Sequence, residues 1–192
     1  MSHAEVPVLE GTMVSLTPFQ HDNIYQHLEW NNDPELNRLD NALPFVRESL
    51  GEFKQRFDQM IDHPLSHHRD FEIHTADGAL IGVVSMAHID AHNRHCLLSI
   101  TIGNRDYWGR GYGRATMDLA LAYCFRTLNM HRVYTESFEY NTSWQRLVEG
   151  SGFSLEGTER DYLYQDGQFW DRLVHSMLEP EYQARYEAEA VA

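Results

Sequence analysis

The stretch Tyr107-Trp108-Gly109-Arg110-Gly111-Tyr112-Gly113-Arg114-Ala115-Thr116 follows an apolar run and leads straight into an amphipathic one. Glycines at alternate positions let the backbone take positive φ and approach a ligand closely. The free N–H groups that open the following helix then point at an anion, so the expected ligand carries phosphates. A P-loop reading fails because no Gly-Lys-Ser/Thr follows. A dinucleotide fingerprint also fails, because its third glycine would fall on Arg114 or Thr116. The plainer reading is a glycine-rich turn at the head of a core helix.

Working outward, His95 to Ile102 reads as the strand before the loop. Ala115 to Leu128 reads as the helix after it, with Met117, Leu121, Cys124, Phe125 and Leu128 at helical spacing. A strand from His131 to Phe138 enters from that helix and is expected to lie parallel to the strand before the loop. A short helix from Ser143 ends at Gly150-Ser151-Gly152. Asp166-Gly167 turns a last hairpin between Phe153 to Leu163 and Phe169 to Leu178. Pro180 opens a terminal helix to about Glu189.

Upstream, Val8 to Leu16 reads as one strand, and Asp22 caps a helix through Trp30. Asn31-Asn32-Asp33-Pro34 breaks the chain and an irregular stretch follows. From Arg47 to Asp62 the set Leu50, Phe53, Phe57, Met60 and Ile61 falls on one helical face, which is expected to pack on a sheet. Strands at Asp70 to Thr75 and Ala79 to His88, turned by Asp77-Gly78, complete an antiparallel meander with His95 to Ile102.

The 192 residues, 42% of them apolar, suit a single domain with a real core. No window is apolar enough to span a membrane, and Met1 to Pro7 lacks the basic start and apolar run of a signal peptide, so a cytoplasmic protein is expected. A net charge of −14 opposes nucleic acid and anionic lipid and favours cationic amines as partners. Cys96 and Cys124 read as buried thiols rather than a disulfide framework. The histidines, including His88, His92 and His95, share no helical face and no cysteine cluster joins them, so no metal is expected.

The order of elements and the loop resemble the GNAT superfamily of N-acetyltransferases, in its RimJ/RimL-like branch. The acyl-CoA loop of that family, Gln/Arg-x-x-Gly-x-Gly/Ala, is read here as Trp108-Gly109-Arg110-Gly111-Tyr112-Gly113, with Trp in place of Gln or Arg. The resemblance runs from about Val8 to Leu178. It also rests on Leu128-Asn129-Met130-His131-Arg132-Val133-Tyr134, on Asn141 placed eleven residues before Gly152-Phe153, and on Asp166-Gly167 before Asp171. It implies an α+β fold: a mixed, mostly antiparallel central sheet flanked by helices, one domain over residues 1–192, with 179–192 as an acidic helix or tail. A monomer or homodimer is expected.

The resemblance further implies acetyl-CoA as co-substrate, with Ile100 and Ile102 pairing the pantetheine arm as an added strand would. Trp108, Arg110, Gly111, Tyr112, Gly113 and Arg114 hold its phosphates, and Asn141 hydrogen-bonds the arm. The plainer role of Asn141 is a helix N-cap, for which Ser143 competes. Trp30, Asn31 and Asp33 line the acceptor side. A backbone N–H near Ile100 or Ile102 serves the oxyanion.

The family base on the strand before the loop matches Leu97 here. A second family pattern places a Glu five residues before the Asn, which makes Glu136 the candidate base, directly or through a water. Its plainer role is a strand carboxylate paired with Arg132 or Arg146. Glu139, Ser99 and His95 are weaker candidates. The family acid positions match Val148 and Trp144, so Ser143, Tyr140 or water is left to serve the thiolate. A thiol with pKa about 8.5 costs only about 2 kcal/mol to release ionised at pH 7.

An α-amine with pKa near 8 costs about 1 kcal/mol to deprotonate at pH 7, against about 4.6 kcal/mol for a Lys-like amine. The expected acceptor is therefore a protein or peptide N-terminus. The alternatives are a polyamine or small-molecule amine, helped by Asp33, Glu35 and Asp40, and a catalytically silent acyl-CoA-binding or interaction module, motivated by Leu97, Trp144 and Val148.

Overall fold

In Val14–Thr17 the side chains of Val14 and Leu16 are closed off from water while Ser15 and Thr17 are half-buried, the alternation of a strand with one face on a core. The same logic runs through a computed structural model that describes residues 7–187. Its strands are β1 (Leu9–Glu10), β2 (Val14–Thr17), β3 (Arg69–Thr75), β4 (Leu80–Asp90), β5 (His95–Ile102), β6 (Arg132–Phe138), β7 (Ser154–Gln165) and β8 (Gln168–Leu178). They are hydrogen-bonded in the order β1-β2-β3-β4-β5-β6-β8-β7. The helices are α1 (Ile24–Asn31), α2 (Pro34–Asp40), α3 (Leu50–Asp62), α4 (Tyr112–Ala122), α5 (Thr142–Ser151) and α6 (Glu179–Tyr182). The chain divides into two compact units: residues up to Ser85 with Ile100–Leu119, and Met86–Ser99 with the residues from Ala120 onward.

In the first unit β2 pairs antiparallel with β1 and with β3. Asp33 caps α2, its Oδ1 accepting from Glu35 N at 2.8 Å and Leu36 N at 3.1 Å, and Pro34 sits at the first turn, where its missing N–H costs nothing. Ser49 and Glu52 close a capping box on α3. Phe53 and Phe57 of that helix are buried with Ile24 of α1, and Phe19, Leu28, Met60 and Ile61 pack around them.

In the second unit β5 and β6 run parallel, with His95, Cys96 and Leu97 opposite Arg132, Val133 and Tyr134, as the connecting helix requires. β8 pairs antiparallel with both β6 and β7. Asp166 and Gly167 both take positive φ, 56° and 82°, the backbone of a tight hairpin turn. Gly152 ends α5 in the left-handed conformation at φ 97°. Cys96 and Cys124 are free, buried thiols with their Sγ atoms 3.8 Å apart; the contact between them, with burial, drives the pKa of Cys124 up.

Several expectations need correction. Val8 to Leu16 is two short strands, because Gly11 N donates to Val14 O at 2.9 Å and turns the chain between β1 and β2. Asp22 lies inside a 3₁₀ turn, His21–Asn23, and α1 starts after Asn23, whose side chain makes no cap bond. The stretch after Asn32 is helical as α2. The helix after the glycine loop starts three residues early, at Tyr112, and ends in a π turn, Tyr123–Thr127. The terminal helix begins at Glu179, and its expected end near Glu189 lies outside the described residues.

Candidate active site

The glycine loop belongs to the first unit. Gly109 and Gly111 take φ of 70° and 88°; a Cβ at Gly109 would meet nothing within 4 Å and one at Gly111 only Met13 Cε at 3.7 Å, so the loop's backbone is open on its outer side. Gly113 lies within α4. Ala115 N donates to Gly111 O at 3.0 Å, so the N–H groups of Tyr112, Gly113 and Arg114 precede the first α-helical bond of the turn. That is the donor set a pyrophosphate requires. Tyr107 and Tyr112 brace the loop edge-to-face, with ring centroids 5.2 Å apart. Arg110 is exposed and has no carboxylate partner among the described residues, while Arg114 Nε donates to Asp118 at 2.9 Å.

β5 delivers Ile100 and Ile102 to this loop, and Trp108 folds back so that its Nε1 donates to Ile102 O at 2.6 Å. The Ile102 carbonyl is thereby occupied. The Arg105 guanidinium stands 5.7 Å from the Trp108 ring centroid, and its Nη2 donates to both oxygens of Asp33 at 2.7 Å. Asp33 thus serves as helix cap and ion-pair partner.

A cavity of about 330 Å³ lies in the same unit. Its floor is the sheet, where Asp70 of β3, Val83 and Ser85 of β4, and Thr101 of β5 contribute side chains. Its walls are helical: His27, Trp30 and Asn31 of α1, Asp40 of α2, Arg56 and Phe57 of α3. Trp30 and Asn31, expected from the sequence on the acceptor side, both line this cavity. Asp33 is absent from the lining. Asp40 is the residue that sequence reasoning underrated. Solvent reaches it, yet the carboxyl is flanked by protein on most sides. That loss of hydration raises its pKa from 3.8 to about 6, against the pull of the Thr101 hydroxyl hydrogen bond.

What holds α1 over the floor is a fully buried carboxylate. Glu72 Oε1 accepts from Gln20 N at 3.1 Å and shares a hydrogen bond with His27 Nε2 at 2.9 Å, while its Oε2 takes Asn23 Nδ2 at 2.7 Å and His74 Nε2 at 3.0 Å. Burial pushes its pKa up, but the bonds from His27, Gln20 and His74 outweigh that and leave it below the usual value. No periodicity in the sequence announces this partnership, because Glu72 falls on the polar side of the strand alternation with Asp70 and His74, where a solvated carboxylate is the ordinary reading.

The family described as Acetyltransferase (GNAT) domain matches residues 14–154. The chain belongs to the GNAT acetyltransferase family. Among its GNAT relatives, the spermidine N(1)-acetyltransferase of Vibrio cholerae is 28% identical over 73% of this chain and 79% of its own length. The [ribosomal protein uS5]-alanine N-acetyltransferase of Escherichia coli is 29% identical over 54% of this chain; the match spans about half, 53%, of that relative. A crystal structure of the Vibrio cholerae spermidine N-acetyltransferase in complex with CoA and spermine superposes with a TM-score of 0.81 over 90% of this chain and 99% of that one, at 24% identity, a likeness of fold. As a GNAT N-acetyltransferase the chain uses acetyl-CoA, whose phosphates suit the open glycine loop. Among the described residues no group of three metal-ligating side chains occurs, and no helix is long and apolar enough to cross a membrane.

The remaining GNAT candidates are in the second unit. Glu136, on β6, accepts from Arg172 Nη1 at 2.7 Å, and Arg172 also pairs with Glu159. Asn141 Oδ1 accepts from Trp144 N at 3.2 Å and caps α5. Ser143 is exposed on the first turn of that helix. Trp144 Nε1 donates to Thr135 Oγ1 at 3.1 Å, and Val148 is fully buried.

Proposed function

We propose that this enzyme transfers the acetyl group of acetyl-CoA directly to the α-amino group of a protein or peptide N-terminus, in the cytoplasm, as a single catalytic domain acting as a monomer or homodimer. One observation carries the choice of acceptor. Among the described residues two carboxylates line the cavity: Asp70 shares a hydrogen bond with His68 at 3.0 Å, whereas Asp40 accepts from the Thr101 hydroxyl and has no cationic partner. One carboxylate without a cationic partner suits one ammonium group.

Acetyl-CoA supplies the activated thioester. The residues of the chain supply the rest. Backbone N–H groups of the glycine loop and the head of α4 hold phosphate, with Arg110 and Arg114 adding charge. Trp30 and Asn31 border the amine, and Asp40 receives it as ammonium. Glu136 is the proposed base, Ser143 the proposed acid and Asn141 a ligand of the pantetheine arm. Glu136 acts from within its ion pair with Arg172. An α-amine asks least of such a base.

A polyamine acceptor is the second reading, supported by the Vibrio cholerae relative. Thiol release from acetyl-CoA with matched peptides bearing free or blocked Ser and Ala N-termini, and with spermidine, separates the two. Turnover confined to free peptides is expected; preference for spermidine overturns the N-terminal reading.

A further inference from the structure

The acceptor cavity has a neighbour of about 260 Å³, lined by Met60, Ile61, Leu65, His63, Arg56 and Arg69 among others. Phe19, Arg56, Met60 and Asp70 line both spaces, so the two adjoin within the first unit and are taken together as one trough. The inner end carries Asp40. The outer end gathers positive charge on a chain whose net charge is −14.

Not all of that charge is neutralised. Arg56 Nη2 pairs with Glu48 at 2.8 Å, and His68 with Asp70, whose hydrogen bond raises the His68 pKa against the effect of burial. Arg69 is different. Its Nη1 donates to three carbonyls, those of Leu65 at 3.2 Å, Ser66 at 3.5 Å and His68 at 2.6 Å, and among the described residues it has no carboxylate partner. The three carbonyls fix the guanidinium in place without cancelling its charge. The floor beside it is apolar, through Met60, Ile61 and Leu65.

We infer that this trough selects a peptide N-terminus with an acidic side chain in its first few residues, the ammonium group at the Asp40 end and the side-chain carboxylate at Arg69. The inference rests on the N-terminal reading above and adds the sequence class of the substrate. A chain with an amine at one end and an acid within the next few residues matches the order of charges in the trough. Spermidine places cations along its whole length and meets Arg69 as a like charge.

The test is kcat/KM for Ala-initiated peptides that differ only at positions two to four, carrying Asp or Glu, Asn or Gln, or Lys, assayed with spermidine on the wild-type enzyme and on Arg69→Gln and Arg69→Lys. The acidic peptides are expected to lead the amide peptides by about fivefold, the scale of a solvent-accessible ion pair. Arg69→Gln should abolish that lead and Arg69→Lys should keep most of it, with acetyl-CoA affinity unchanged in both as the check on folding. Equal rates on all free peptides, with no effect of Arg69→Gln, overturn the trough inference and leave the N-terminal reading standing. Turnover of spermidine alone overturns that reading itself.

Discussion

The indole of Trp30 lies against the backbone of Gly103, so closely that a Cβ added there would stand 2.3 Å from Trp30 Cδ2. A wall of the proposed acceptor cavity is thus fitted to the first residue after β5, and only glycine leaves room for it. Gly103→Ala is expected to push the ring aside, lowering stability by about 1–3 kcal/mol and raising KM for the amine more than KM for acetyl-CoA. Thermal melts and the two KM values check this; an unchanged amine KM would separate Trp30 from the acceptor.

Asp40 gives two outcomes of opposite kind. Its pKa in the fold, about 6, lies above the ordinary 3.8, so the stability it contributes is full below about pH 3.8 and is lost as pH rises through 6. Asp40→Asn should therefore be relatively more stable at pH 8 than at pH 5, compared with the wild type. Activity should move the other way, with kcat/KM for the amine falling about tenfold as a charge-assisted contact disappears. Urea titrations at both pH values and amine kinetics test the pair of effects.

Glu136→Gln removes the proposed base and one partner of Arg172. A loss of kcat of at least about a hundredfold is the expected result. A rate unchanged across pH would exclude Glu136 as base and leave Asp40 as the carboxylate to examine.

The glycines give an internally controlled comparison. Gly111→Ala forces a Cβ onto φ of 88°, a strain of about 1–2 kcal/mol, and should weaken acetyl-CoA binding. Gly51→Ala, inside α3 with nothing within 4 Å, should stabilise the fold by about 0.5–1 kcal/mol and leave binding alone. Calorimetric affinities and melting temperatures measure both.

Glu72 governs acid stability. Its pKa is lower in the fold than the ordinary 4.5, so its contribution is present above about pH 4.5 and disappears as pH falls through the folded value. Glu72→Gln should lower stability at pH 7 by about 1–3 kcal/mol and flatten the loss of stability between pH 5 and 3. Stability measured across that range would show no change if the carboxylate were idle.

Much of this protein could be read in one dimension because the signals are local. Glycines 109 and 111 take positive φ wherever the backbone must turn outward, Asp166-Gly167 makes a tight turn by its own conformational preference, and the strand entered from α4 runs parallel to β5 because a crossover of that length permits it. Other features depend on partners far apart in the chain. The turn at Gly11 that divides the first strand follows from a single backbone bond. Asp33, expected on the acceptor side, caps α2 and pairs with Arg105 seventy-two residues away. Glu72 becomes an anchor only when His27, Asn23 and His74 converge on it, and the pKa of Asp40 rises because folding takes hydration from its carboxyl. Sequence alone therefore determined the family, the glycine loop and most of the order of elements, since those rest on residues adjacent in the chain. The tertiary structure decided which carboxylate lines the cavity without a cationic partner and which are already paired, because hydration and charge balance depend on what folding brings within a few ångströms.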